Sequence, residues 1–229
     1  MPATQSATRR TAAPTLEPHR EAYIEVAPGV VLNGLLTLPA TTSTRGVVAF
    51  PTVSRGPLQN PYNRVAVSTL ARAGFAALLF DCLTSGEKGS VVPPIDPSSV
   101  ARRLLSATTY LRAQPEIADV RLGYMSTGRA TAGAMSAAAE LATDLGAVVS
   151  LGAAPDLLVV HLEGVTAPVL LIVGGTPADL ACIDRVCTRL LCPSHLAMIP
   201  GSHKLTEGDP RPFMRAMKLA TSWFATHLD

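Results

Sequence analysis

From residue 46 onward the chain alternates between two patterns. Short, mainly apolar stretches cover 46–51, 75–80, 121–125, 146–151, 168–173 and 195–199, and 46–51 and 75–80 are apolar throughout. A strand buried on both faces reads as a continuous apolar run, whereas a half-exposed strand alternates. Between these runs, apolar residues recur at helical spacing over 62–73, 97–113, 129–141, 180–191 and 210–228. Gly74 stops the first of these helices, Ser98 and Ser99 offer caps for the second, and a further short helix is expected to start at Pro155-Asp156. Ahead of this region, residues 23–27 and 30–38 alternate about Pro28-Gly29, which predicts a hairpin. Strands that alternate with helices make an α/β fold, with a mostly parallel sheet, helices on both faces and the hairpin at one edge. No internal repeat is visible. Residues 1–20 read as a flexible tail and 21–229 as one domain.

Composition narrows the classes. The chain has 229 residues, 48% of them hydrophobic and only 4% aromatic, so alanine, leucine and valine must fill the core. A net charge of +2 gives no general attraction for nucleic acid. No apolar run approaches the roughly 20 residues that span a bilayer, and the N-terminus has no apolar core of a secretory signal. The expected location is cytoplasmic, with no membrane or nucleic-acid partner and with a homodimer left open. The cysteines are Cys82, Cys182, Cys187 and Cys192. Their spacing fits no zinc site, so they read as free thiols. No metal cluster, phosphate loop or dinucleotide fingerprint stands out, and no cofactor is expected.

The candidate chemistry centres on residues 122–140. An apolar strand meets a tight small-residue turn and then a long small-residue helix. That is the local geometry of a nucleophile elbow, whose signature is G-x-S-x-G. Here the turn reads Ser126-Thr127-Gly128-Arg129-Ala130, with glycine in the place of the serine.

Several phrases make the chain resemble the dienelactone hydrolase-like branch of the α/β-hydrolase superfamily. They are Pro61-Tyr62-Asn63-Arg64, Leu78-Leu79-Phe80-Asp81-Cys82-Leu83-Thr84, Leu111-Arg112-Ala113-Gln114-Pro115-Glu116, Val148-Val149-Ser150 with Pro155-Asp156-Leu157, Leu170-Leu171-Ile172-Val173-Gly174-Gly175, and Ile199-Pro200-Gly201. The resemblance spans residues 22–228 and implies the α/β-hydrolase fold, with a mostly parallel eight-stranded sheet. It places the family's nucleophilic serine on Gly128, its acid on Pro177 and its histidine on Lys204, one beyond His203. The family's His-Gly at the oxyanion loop falls on Thr52-Val53. All four positions depart from the family pattern.

Glycine cannot form an acyl-enzyme, proline cannot orient an imidazole, and lysine is ordinarily protonated near neutral pH. The resemblance and these departures together imply a hydrolase-fold protein without the Ser-Asp/Glu-His triad. Its old cleft would bind a small molecule, with a carboxylate, enolate or phosphate favoured by the helix N-terminus and nearby cations. Such a protein is either a repurposed cofactor-free enzyme of the isomerase, epimerase, cyclase or lyase type, or a ligand-binding pseudoenzyme. The candidate lining is Thr52, Val53, Ser54, Gly128, Arg129 and Lys204, with His203 and Arg55 close by. The alternative is an active esterase or lactonase with a displaced nucleophile, Ser126, served by His203, with Asp179 standing in for the acid. Cys82 and Asp81, at the end of a strand, read as a buried thiol and as a carboxylate that holds its loop.

Overall fold

The computed structural model describes residues 19–41, 43–54, 56, 58–88, 95–152, 160–174, 183–200 and 205–229. Eight strands make one sheet: β1 (His19–Ala27), β2 (Val30–Thr37), β3 (Gly46–Thr52), β4 (Phe75–Asp81), β5 (Leu122–Thr127), β6 (Leu145–Leu151), β7 (Val169–Gly174) and β8 (Ser194–Ile199). Their order is β1-β2-β4-β3-β5-β6-β7-β8. β1 and β2 form the antiparallel hairpin at one edge, and the strands from β4 to β8 pair in parallel. The hairpin turn holds Gly29 at φ +76°.

Every residue of β3, β4 and β6 is buried, in keeping with their largely apolar sequences; Thr52, Asp81 and Ser150 are buried polar exceptions near their C-terminal ends. Alternate side chains serve opposite faces. On one face, Val47, Ala49, Leu78, Phe80 and Tyr124 pack with α3 (Pro97–Arg112) and α4 (Ala130–Leu141). On the other, Val48, Phe50, Leu79, Met125 and Val149 pack with α1 (Pro61–Arg72) and the terminal helix α5 (Pro210–His227). The fully buried rings of Phe213 and Phe224 anchor α5. Truncating a ring of this kind to alanine typically costs about 3–5 kcal/mol.

Helix α4 carries an apolar surface nearly all round because it is buried between the sheet and α3. Small residues make that approach possible. A Cβ built on Gly133 would stand 2.4 Å from the Val100 Cβ and 2.8 Å from the Pro97 carbonyl oxygen. This glycine is a contact point between α3 and α4.

Several expected ends move by a residue or two, and four details differ. The cap of α3 is Asp96, not Ser98 or Ser99. Its Oδ1 accepts the Ser99 N–H at 2.9 Å, and both serine hydroxyls donate to its carboxylate. A carboxylate can accept all three donors, which a hydroxyl cannot. A short helix α2 (Ser85–Lys88), too brief to show periodicity, follows β4. The helix expected over 180–191 is helical over 183–187 among the described residues and then turns. The Arg189 N–H bonds the Val186 carbonyl at 3.1 Å, a tightened last turn, and Pro193 follows shortly after. Strand β5 runs on to Thr127, so the turn begins later than expected. The helix expected at Pro155-Asp156 lies outside the described residues. Among the described residues, no helix is long and apolar enough to cross a membrane.

Candidate active site

The C-terminal ends of β3, β4, β5 and β6 lie in a row, which is where open parallel sheets bind ligands. Thr52 is the register partner of Asp81, and Ser126 of Ser150. Between them, β5 ends in the turn Gly128-Arg129, and α4 begins at Ala130. The Gly128 carbonyl accepts the Thr131 N–H at 3.1 Å, which closes the turn tightly.

Gly128 stands at the tip with φ +50°, a left-handed conformation that side chains rarely adopt. It is exposed, and a Cβ built on it would meet nothing within 4 Å among the described residues. The turn therefore keeps the strained backbone and the open space of a nucleophile elbow, without a side chain to fill it. Arg129 beside it is exposed and does not cap the helix with its side chain. The first turn of a helix leaves backbone N–H groups without intrahelical partners.

Ser126 has a different setting. Strand parity turns it away from the tip, to the side where α4 packs. Its Oγ is fully buried and donates to Thr131 Oγ1 at 3.2 Å. Thr131 Oγ1 lies 3.3 Å from Ser150 Oγ, which donates to the Gly152 carbonyl at 3.4 Å. These three buried hydroxyls link the ends of β5, α4 and β6. Periodicity could not have shown this, because the link depends on the pairing of β5 with β6.

At the last position of β3, Thr52 is buried, and its Oγ1 donates to the Phe80 carbonyl at 3.0 Å. Val53 packs partly against the core, and Ser54 is exposed. Of the remaining candidates, His203, Lys204, Pro177, Asp179 and Arg55 lie outside the described residues.

The loop after β4 is held by a charged clamp. Arg103 of α3 donates to the Cys82 carbonyl and to both oxygens of Glu87, at 2.7 and 3.0 Å. Glu87 Oε2 also accepts the Thr84 N–H and hydroxyl, at 2.7 and 2.9 Å. The Arg103 guanidinium holds the Glu87 carboxyl down to about 2. Nothing in the sequence signals this clamp, since Arg103 reads as one more charge on a helix. Asp81 Oδ1 accepts the Leu83 N–H at 2.9 Å, the loop-holding role expected of it. Burial pushes the Asp81 carboxyl up, against the opposing pull of Lys88. Cys82 is fully buried, and desolvation raises its thiol far above the ordinary range. Among the described residues, no three His, Cys, Asp or Glu side chains gather closely enough to hold a metal ion.

Comparison with known proteins places this geometry. No family model matches the chain. Two curated sequences from strains of Mycobacterium tuberculosis, provisionally named phosphoribosyl transferases, are each 35% identical over 215 residues. The match covers 92% of this chain but 47% of each relative, so the chain spans about half the length of the curated relatives it matches. Among solved structures, dienelactone hydrolase from Anabaena variabilis superposes with a TM-score of 0.84 at 31% identity, covering 94% of this chain and 100% of that one. A dienelactone hydrolase-like promiscuous phosphotriesterase from metagenomic libraries shares the fold, with a TM-score of 0.71 at 17% identity over 93% of this chain and 99% of the other. With an elbow between β5 and α4, an antiparallel hairpin at the sheet edge and a full-length relative of this similarity, the chain belongs to the dienelactone hydrolase family of the α/β-hydrolase fold.

Proposed function

We propose that this protein is a non-hydrolytic member of its family. It uses the old active-site cleft to bind a small molecule, with an anionic group favoured at the elbow. It does so either as a cofactor-free enzyme of the isomerase, epimerase, cyclase or lyase type, or as a ligand-binding pseudoenzyme. The observation that carries the reading is Gly128. It occupies the left-handed tip of the turn, with open space before it among the described residues and no side-chain atom that could attack a carbonyl. The first-turn N–H groups of α4 and the exposed Arg129 support an anionic ligand group. The rival reading, an esterase or lactonase using Ser126, requires that hydroxyl to leave its buried bond to Thr131, and this weighs against it.

The phosphoribosyl transferase name belongs to proteins about twice as long as the matched region. It lends no support to that activity in a chain with the hydrolase sheet.

Intact-mass analysis after incubation with a small fluorophosphonate, beside turnover of p-nitrophenyl acetate, tests the proposal. The expected result is no adduct and no turnover above a Ser126→Ala control. A single stoichiometric adduct that disappears in Ser126→Ala would establish the displaced serine instead.

A further inference from the structure

The sheet ends at β1 on one side and at β8 on the other, and the two edges are built differently. An edge strand presents unpaired backbone groups, and natural edges are guarded by charges, bulges or a covering element. β1 is guarded. It carries Arg20, Glu21 and Glu25, its register shifts between Glu25 and Ala27, and Arg20 is tied to Glu116 by an ion pair of 3.0 Å. β8 reads Ser194-His195-Leu196-Ala197-Met198-Ile199, with no lysine, arginine, carboxylate or proline, and its register with β7 runs without a shift.

The ladder fixes which groups of β8 are turned outward. In a parallel pair, alternate residues of a strand direct both backbone groups to the same neighbour. The Val169 N–H donates to the Pro193 carbonyl at 2.9 Å, and Val169 is the register partner of Ser194. The groups turned to β7 are therefore those of His195, Ala197 and Ile199. The N–H and C=O groups of Ser194, Leu196 and Met198 point away from the sheet, and among the described residues no backbone group meets them. The side chains leave the same edge apolar. Leu196 packs partly against the core, Met198 is 46% exposed, and Leu191, just before the strand, is 77% exposed.

A second copy of the same strand fits this edge. A two-fold axis normal to the sheet sets two β8 strands antiparallel, with like faces on the same side. A register centred on Leu196 engages all the outward groups. Leu196 then opposes Leu196 of the partner subunit, and Met198 opposes Ser194 of the partner subunit. The charge pattern agrees. His195, the one titratable side chain of the strand that changes charge near neutral pH, faces Ala197 of the partner subunit, so no like charges meet across the pair. We propose that this protein forms a symmetric dimer by antiparallel pairing of β8 with β8 of a second copy, which joins the two sheets into one. The proposal does not depend on the chemistry at the elbow.

Analytical ultracentrifugation of the full chain from about 1 to 100 μM tests it, beside hydrogen exchange resolved to single amides by mass spectrometry. The expected result is a dimer with a dissociation constant of about 10 μM or tighter. The Ser194, Leu196 and Met198 amides should exchange more slowly as the protein concentration rises, because the partner strand then holds them. Met198→Lys, at an exposed position, sets a charge on the edge and should weaken association at least about tenfold. Adding Ser194→Glu to Met198→Lys in the same chain should recover part of that loss, because the two charges then oppose each other across the axis. Should Met198→Lys not fold, the exchange of the wild-type amides still decides. The proposal is overturned if the wild type stays monomeric at about 100 μM. It is equally overturned if a dimer forms with those amides unprotected, or if a folded Met198→Lys associates as tightly as the wild type.

Discussion

Replacing Gly128 by alanine or serine reads the elbow directly. The backbone there has φ +50°, which an L-residue adopts at a cost of about 1–2 kcal/mol relative to glycine. Among the described residues the new Cβ would meet nothing within 4 Å, so they add no packing penalty. The expected loss is therefore that conformational cost alone, about 1–2 kcal/mol. For a chain of this size it lowers the melting temperature by roughly 2–8 °C. Urea denaturation of the wild type, Gly128→Ala and Gly128→Ser at neutral pH measures it. Both variants should show this loss, because both place a side chain on the same left-handed backbone. A loss of about 4 kcal/mol or more would mean a crowded tip, beyond any conformational cost. No loss at all would mean that the residue is not left-handed. Either result would refute the elbow geometry on which the functional proposal stands. Gly128→Ser also places a hydroxyl where the proposal puts the family's nucleophile. An adduct with fluorophosphonate in that variant and not in the wild type would show that the surrounding groups still activate a nucleophile placed there.

Other expectations follow from packing and charge. Gly133→Ala should be far more damaging than Gly128→Ala, because its Cβ would stand 2.4 Å from the Val100 Cβ, and Val100→Ala in the same chain should restore part of the loss in a urea melt. Tyr124→Phe removes a buried 2.7 Å hydrogen bond to Thr108 and should cost about 1 kcal/mol by the same measurement. Glu87 has its carboxyl lowered to about 2 in the fold, chiefly by Arg103. Its contribution is present above the unfolded value near 4.3 and is lost as pH falls toward about 2, so stability measured across that window should drop less in Glu87→Gln. Asp81 has the opposite sign. Its raised carboxyl favours the fold below the unfolded value near 3.9, and that advantage is lost as pH rises, so Asp81→Asn should gain on the wild type between acid and neutral pH. In native protein Cys82 should resist a thiol reagent that labels it fully after unfolding, since it is wholly buried.

The fold was legible in the sequence because its cause is local. A parallel strand buried on both faces is apolar over most of its length, and the six apolar residues Phe75 to Phe80 of β4 give such a run. The small residues of α4 likewise announced a helix closely packed by its neighbours. The turn between β5 and α4 was legible too, because an apolar strand meets a small-residue turn and helix there.

What the sequence could not decide was which side chains meet. Ser126 lies two residues from the elbow tip in the chain, which made it a candidate. Its direction depends on strand parity, and its partner Thr131 is in the first turn of α4. The link on to Ser150 depends on the pairing of β5 with β6. Asp96 outcompeted two serines as the cap of α3 because a carboxylate accepts several donors at once. The place of β8 at the edge follows from the strand order, which no single segment carries. Hydrophobic periodicity records which face of each element is buried, a property that each segment carries by itself. Hydrogen-bond partners, burial of a charge and open space before a glycine are properties of neighbours, and the packing of the sheet and its two helical layers chose those neighbours.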